Sequence, residues 1–318
     1  MPDGPPTPPP APPLPAKFTD PHVTAKGERR AWVPMRRLDT LWLNTGTLCN
    51  IACSNCYIES TPTNDALAYL SLADALPFLD EARALGTREV GITGGEPFMN
   101  PDILAILEAA LARGFEVLVL TNAMRPMMRP RVQEGLLAIP PQVRARLTLR
   151  VSMDHYTGAL HDEERGAGAF ARACEGMRWL GEHGFRLAVA GRTMHAEAED
   201  AARAGYATLL QSLNITLDAA DSQALVLFPE MRAADDPPEI TTACWGILDK
   251  APSSVMCSSS RMVVRRRGAA APVVLACTLL AYDERFEMGA SLREAARPVS
   301  LNHPWCATFC VLGGSSCS

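Results

Sequence analysis

Cys49-Asn50-Ile51-Ala52-Cys53-Ser54-Asn55-Cys56 places three cysteines in one short loop. Three thiolates gathered this way can hold three irons of a cubane 4Fe–4S cluster and leave the fourth iron open to a small molecule. That open corner points to chemistry rather than to plain electron storage. Zinc is the rival, but a closed structural zinc site takes four ligands, and no fourth Cys or His follows within the usual few residues. A chance group of buried free thiols is the remaining reading, and three at this spacing make it the weaker one.

Outward from the loop, strand-length apolar runs alternate with longer segments of helical periodicity, the pattern of successive βα units around a parallel sheet. Strands are predicted at Leu41–Leu43, Val90–Ile92, Phe115–Leu120, Leu147–Ser152, Phe185–Ala190 and Ala224–Phe228. Helices are predicted from a Ser71 cap to Leu85, and over Pro101–Arg113, Arg131–Ala138, Ala169–His183 and Glu197–Leu213. Six such units fall short of the eight in a closed TIM barrel. Loops after the C-terminal ends of parallel barrel strands share one face, where active sites are built. The cysteine loop, Gly94-Gly95-Glu96-Pro97, Thr121-Asn122, Ser152 with Asp154, and Arg192 all fall at such ends.

Composition narrows the class. In 318 residues, 47% hydrophobic and 20% charged describe a globular chain able to bury a sizeable core. A net charge of -5 offers no field for nucleic acid or an anionic membrane, and Arg265-Arg266-Arg267 reads as a solvated strand face. No apolar stretch of about 18 residues escapes a charge or a breaker, so no membrane span is expected. The ten cysteines occur without a basic-then-apolar signal segment, so reduced thiols and a cytoplasmic location are expected. Cys174 and Cys244 stand apart and read as small buried hydrophobes.

The Cys-x3-Cys-x2-Cys loop after the first strand, joined to Gly94-Gly95-Glu96-Pro97 after the second, resembles the radical S-adenosylmethionine (radical SAM) superfamily over about residues 38 to 230. The resemblance implies an α/β fold, a partial (β/α)6 TIM-like barrel. It further implies a 4Fe–4S cluster on Cys49, Cys53 and Cys56 whose open iron binds S-adenosylmethionine. Reductive cleavage would give a 5′-deoxyadenosyl radical that abstracts hydrogen from a peptide or small-molecule substrate. Flavodoxin or ferredoxin would donate the electron.

Residue roles follow from the same resemblance. Gly94 and Gly95 would let the backbone approach the methionine moiety, because a Cβ there would hold it away. Glu96 and the carbonyls beside it, at Pro97, would accept hydrogen bonds from its ammonium group. Ser152 and Asp154 match positions that touch the ribose or the methionine end, and Arg192 is placed to pair with the carboxylate. Asn122 is a weaker cofactor candidate. Each has a plainer alternative: an ordinary turn, a strand-end cap or an exposed loop arginine. Asn55 departs from the aromatic residue many members carry before the third cysteine, which passes the adenine contact to Tyr57 or to the backbone near it. No catalytic side chain is singled out beyond these. His155 and Tyr156 read as a hydrogen-bonded pair on the barrel rim, and His161 to Gly166 as a solvated helix cap.

The organisation read from the chain is a disordered proline-rich tail over residues 1–30, a barrel over 31–236 and a small cysteine-rich domain over 237–318. After about Pro237 the βα rhythm stops, and Cys257 precedes a hairpin over Arg261–Val264 and Pro272–Ala276 that ends at Cys277. Cys306, Cys310 and Cys317 close the chain. This region resembles the SPASM or twitch extensions of radical SAM enzymes, which implies an auxiliary iron–sulfur cluster on four of these five cysteines. Structural zinc suits four thiolates equally. The competing function is a zinc- or cluster-stabilised binding or electron-transfer protein without radical chemistry.

Overall fold

A computed structural model of the chain describes residues 16–194, 197–229 and 236–314. After a two-residue strand β1 (Trp32–Val33), six strands form where the apolar runs lie: β2 (Thr40–Asn44), β3 (Glu89–Thr93), β4 (Glu116–Thr121), β5 (Leu147–Ser152), β6 (Arg186–Thr193) and β7 (Leu225–Pro229). They pair in sequence order, all parallel. Parallel neighbours need a crossover between them, and helices supply each one. These are α1 (Leu72–Ala84), α2 (Ile103–Ala112), α3 (Pro130–Ala138), α4 (Pro141–Arg144), α5 (Gly158–Arg165), α6 (Ala169–Glu182) and α7 (Glu199–Ser212). The partial barrel expected from the resemblance is the architecture found.

Local chemistry explains the helix positions. Ser71 Oγ accepts the Asp74 N–H while Asp74 accepts the Ser71 N–H, both at 3.1 Å, a capping box that starts α1. From there α1 buries Ala75, Phe78, Leu79 and Ala82, and α2 buries Ile103, Ile106, Leu107, Ala110 and Leu111. Each large aliphatic side chain covered in this way contributes roughly 1.5–3 kcal/mol.

Strand alternation sorts side chains between lumen and helices. Thr93, Leu120, Ser152 and Arg192, near the C-terminal ends, line a pocket shared with the three cysteines. Glu89, Leu118, Arg150 and Ala188, two or more residues earlier on those strands, line a cavity of about 1060 Å³ at the N-terminal mouth. That larger cavity holds charges already paired, Arg203 with Glu199 at 2.8 Å and Arg186 with Glu116 at 3.4 Å. Its distance from the cysteine loop assigns the chemistry to the smaller pocket.

Three sequence expectations change. Residues 18–30, expected within the tail, are held to the body of the protein instead, because the Glu239 carboxylate gathers the Phe18 N–H at 2.7 Å, the Ala25 N–H at 2.6 Å and the buried Arg30 guanidinium. Residues 1–15 lie outside the described residues. The stretch from His161 is more than a solvated cap: Asp162 does accept the Gly168 and Phe170 N–H groups at the start of α6, both at 2.7 Å, but the run itself forms α5, with His161 fully buried beside Phe170. The C-terminal hairpin also joins the barrel sheet. After the short α8 (Cys244–Ile247), β8 (Ser260–Val264) pairs parallel with β2, β9 (Val273–Leu275) runs antiparallel to β8, and β10 (Glu287–Gly289) extends beyond β9. Every residue of β8 is buried, so the strand needs neighbours on both edges. Arg261 is tolerated there because four backbone carbonyls, those of Ala295, Cys257, Ser260 and Arg297, accept its N–H groups. A last strand, β11 (Val299–Ser300), returns to pair with β1.

Candidate cofactor site

The cysteine loop leaves β2 and is fastened at once to the end of β3. Thr45 N–H donates to the Thr93 carbonyl at 2.8 Å, Gly95 N–H to Gly46 at 2.7 Å and Glu96 N–H to Leu48 at 3.2 Å. This zipper explains both glycines. A Cβ on Gly95 would stand 2.3 Å from the Leu48 carbonyl oxygen, and one on Gly94 would stand 2.6 Å from that of Gly46. Gly94 also has φ +148°. Both glycines line the pocket, and what closes on their Cβ side is the chain's own cysteine loop. Asn100, which the sequence reading missed, adds a buried clip: its Nδ2 donates to the Thr45 and Leu70 carbonyls, both at 2.9 Å.

Glu96 turns away from the pocket. It is buried, and its oxygens accept Phe98 N–H at 3.1 Å, Thr121 Oγ1–H at 2.9 Å and Asn122 N–H at 2.8 Å, tying β3 to β4. Burial pushes its carboxyl up to about 7 against the pull of those donors. Pro97 starts the short turn behind it and likewise does not line the pocket. Asn122 does line it, and its Nδ2 donates to Asn50 Oδ1 at 2.9 Å and approaches Cys49 Sγ at 3.9 Å.

The opposite wall is built by β5, α5 and β6. Arg165 grips Asp154 with two bonds, of 2.7 and 3.1 Å, and Arg192 pairs with the same carboxylate at 3.2 Å. Burial alone would raise the Asp154 carboxyl, but the guanidinium of Arg165, followed by that of Arg192, holds it down at about 2. Ser152, Arg165 and Arg192 line the pocket and Asp154 stands behind the two arginines, so it orients them. Arg192 sits on β6 itself, because that strand runs to Thr193, three residues past the predicted end. Arg165 was missed; its run carries no apolar periodicity to announce a helix. Tyr57 also lines the pocket. On the rim, Tyr156 Oη donates to Glu197 at 2.6 Å and His155 Nε2 lies 3.5 Å from the same carboxylate; the two rings stack, centroids 4.1 Å apart, rather than forming the hydrogen-bonded pair expected there.

All three cysteines of the loop line this one pocket, which has a volume of about 110 Å³. That is below the ~300–1,000 Å³ usual for small-molecule sites, which marks it as the inner end of a site rather than the whole. Burial pushes the Cys49 thiol up to about 12 and raises Cys53 as well, so both are protonated until a cation stands beside them. Cys56 Sγ already accepts the Ser60 N–H at 3.3 Å. Among the described residues, no three His, Cys, Asp or Glu side chains converge enough to hold a single metal ion. A cluster takes one thiolate per iron, so its ligands stand further apart than those of one ion. Soft sulfur donors and two paired guanidinium groups fit an iron–sulfur cluster with an anionic ligand beside it.

In the C-terminal region, Cys257, Cys277 and Cys306 are buried together. Burial first, then their mutual proximity, raises the Cys257 thiol to about 12 and the Cys306 thiol well above its ordinary value. Cys310 is half-buried four residues along the π-helical turn Cys306–Leu312. Cys317 lies outside the described residues.

A parallel partial barrel with a three-thiol loop at the C-terminal end of its first barrel strand defines the class. The Radical SAM superfamily model matches residues 43–226, more than half of the chain, and the chain belongs to that superfamily. It is 32% identical over 143 residues to the antilisterial bacteriocin subtilosin biosynthesis protein AlbA of Bacillus subtilis, a match covering 45% of this chain and 30% of that protein. It is also 32% identical over 143 residues to the mycofactocin maturase MftC of Mycobacterium ulcerans, covering 43% and 35%. Among solved structures, it resembles Streptococcus suis SuiB bound to S-adenosylmethionine, with TM-score 0.57, 14% identity and coverage of 80% and 63%. The matched stretch spans about a third of the length of these curated relatives. Among the described residues, no helix is long and apolar enough to cross a membrane.

Proposed function

We propose that this chain holds a 4Fe–4S cluster through Cys49, Cys53 and Cys56, cleaves S-adenosylmethionine reductively, and takes a hydrogen atom from a peptide substrate. The observation that carries the reading is one pocket shared by three cysteines, Gly94, Gly95, Ser152 and Arg192 at the C-terminal end of the barrel. When bound, the cluster and its ligand supply one-electron cleavage of a sulfonium and a carbon radical able to abstract hydrogen.

The chain's own residues then bind and orient. Arg192 and Arg165 offer guanidinium groups to the carboxylate of the methionine moiety, held by Asp154 so that neither must reorganise on binding. Backbone carbonyls near Gly94 and Gly95 accept from its ammonium group. Glu96 works from behind the pocket, fixing β3 to Asn122. Tyr57 presents a ring for the adenine. Cys257, Cys277 and Cys306, completed by Cys310 or Cys317, hold an auxiliary cluster. A flavodoxin or ferredoxin supplies the electron. A peptide is favoured over a free metabolite because one relative is named for bacteriocin biosynthesis and another as a maturase. Family membership supports this enzyme over a zinc-stabilised binding protein.

Anaerobically reconstituted protein given a strong reductant will release 5′-deoxyadenosine from S-adenosylmethionine, and Cys53→Ala will not. Equal release from both proteins defeats the assignment. About eight irons per chain, with matching sulfide, would accompany two cubanes.

A further inference from the structure

The turn between the second and third cysteines does little to hold itself. Its backbone bond, Cys56 N–H to the Cys53 carbonyl, is long at 3.4 Å, near the limit for such contacts. The two residues inside it, Ser54 and Asn55, are polar and reach outward, and both reach Glu164 near the C-terminal end of α5. Ser54 N–H donates to the Glu164 carbonyl at 2.9 Å. Glu164 Oε2 accepts from Ser54 Oγ–H and, at 2.7 Å, from Asn55 Nδ2. On the pocket side, Arg192 Nη2 donates to the Asn55 carbonyl at 2.9 Å. Cys49 is placed separately, through Asn50 and Asn122, from the β4 side. Cys56 is also held by the residues that follow it, through Glu59 N–H to its carbonyl at 2.9 Å and Ser60 N–H to its sulfur at 3.3 Å. The two residues between the cysteines are held by two anchors from outside the loop, and one of them, Glu164, does not line the pocket.

We infer that Glu164 is a positioning residue: its carbonyl and carboxylate fasten the Cys53–Cys56 turn to α5 and so set where the second and third cysteine sulfurs stand. This rests on the proposed cluster for its purpose, but not for its existence. Asn55 is the residue that makes the arrangement specific, since an aromatic ring at that position would offer Glu164 no amide donor. Hydrogen bonds to a carboxylate are roughly twice as strong as neutral ones, so losing both side-chain bonds frees the turn by about tenfold to a hundredfold.

Hydrogen exchange on cofactor-free protein tests this directly. In Glu164→Ala the hydrogen-bonded amides of Ser54 and Cys56 will exchange about tenfold to a hundredfold faster, while those of β4 and α6 keep wild-type rates. Glu164→Gln retains an oxygen that can accept both bonds and will restore most of the protection. On cluster-loaded protein, loss of iron to a chelator will accelerate by a similar factor in the alanine variant and not in the glutamine one. Wild-type exchange at the Ser54 and Cys56 amides in Glu164→Ala, or a glutamine variant as fast as the alanine one, overturns the inference. If Glu164→Ala does not fold, Ser54→Ala with Asn55→Ala removes the same two side-chain bonds from the other end and must give the same acceleration. A wild-type protein that takes up no iron would sink the proposed function alone, since the exchange measurement reads the anchor without it.

Discussion

Replacing Asp154 with asparagine isolates the charge that holds the arginine wall. In the fold its carboxyl sits near 2 rather than 3.8. At about 1.4 kcal/mol per unit, that depression corresponds to about 2 kcal/mol of stability at neutral pH. The sign follows from the direction: a carboxylate held low stabilises above its unfolded value, and the contribution drains away as pH falls from about 4 toward 2. About half is gone at pH 3. Asp154→Asn removes more than this, because it leaves the deeply buried Arg165 without its anion, and a broken buried pair costs about 3–5 kcal/mol. Asparagine keeps one acceptor oxygen, which places the expected loss near the lower figure. Urea unfolding of cofactor-free protein followed by circular dichroism would measure it at pH 7 and at pH 3. The gap between wild type and variant should shrink by about 1 kcal/mol at the lower pH. Adding Arg165→Met should recover much of the loss by removing the stranded cation as well. A gap under about 1 kcal/mol at pH 7, or one that does not change with pH, would refute this account of the wall.

Two buried groups should pull stability in opposite directions on mild acidification. Burial, reinforced by Arg165, lowers the His161 imidazole to about 4, so the fold keeps it neutral while the unfolded chain takes a proton near 6.5. Stability then falls by about 3 kcal/mol between pH 6.5 and 4, and His161→Leu should flatten that slope in a denaturation series. Glu96, pushed up to about 7, takes its proton first in the fold, so its contribution rises as pH falls from about 7 to 4.5. Glu96→Gln should remove that rise, and a pH profile identical to wild type would show the carboxyl is not buried as described. Gly95→Ala drives a methyl against the Leu48 carbonyl, 2.3 Å from the ideal Cβ. The zipper between β3 and the cysteine loop must open, so iron uptake on reconstitution should drop sharply; full uptake would count against the packing.

How far the sequence carried the reading depends on whether a feature was local or assembled. The barrel strands were legible because each is a short apolar run ending in polar residues, and β5 was placed at Leu147–Ser152 to the residue. The cysteine spacing and the glycine pair were legible for the same reason. What closes on those glycines was not, since the partner is a loop some fifty residues earlier and glycine signals only that something comes close. Arg165 and Glu164 were hidden for a different reason. Their run, His161-Asp162-Glu163-Glu164-Arg165, has the look of a solvated cap, and its burial is decided by Asp154 just past β5, Phe170 from α6 and Ser54 with Asn55 from the cysteine loop.

The same contrast bears on how the site is divided. Glu96, which sequence chemistry offered as a hand toward the ligand, spends its oxygens on Phe98, Thr121 and Asn122, and Asp154 spends its own on Arg165 and Arg192. Glu164 does likewise with Ser54 and Asn55. Three acidic groups around the cysteine pocket thus face the scaffold, while its wall carries thiols, backbone, a ring, uncharged aliphatic, hydroxyl and amide side chains, and two guanidiniums. An anion entering that pocket meets no carboxylate on its lining, and an iron-bound set of thiolates would find cations opposite. That division, carboxylates turned outward to fix the frame and cations turned inward, is what a negatively charged cluster with a carboxylate-bearing ligand requires of its container.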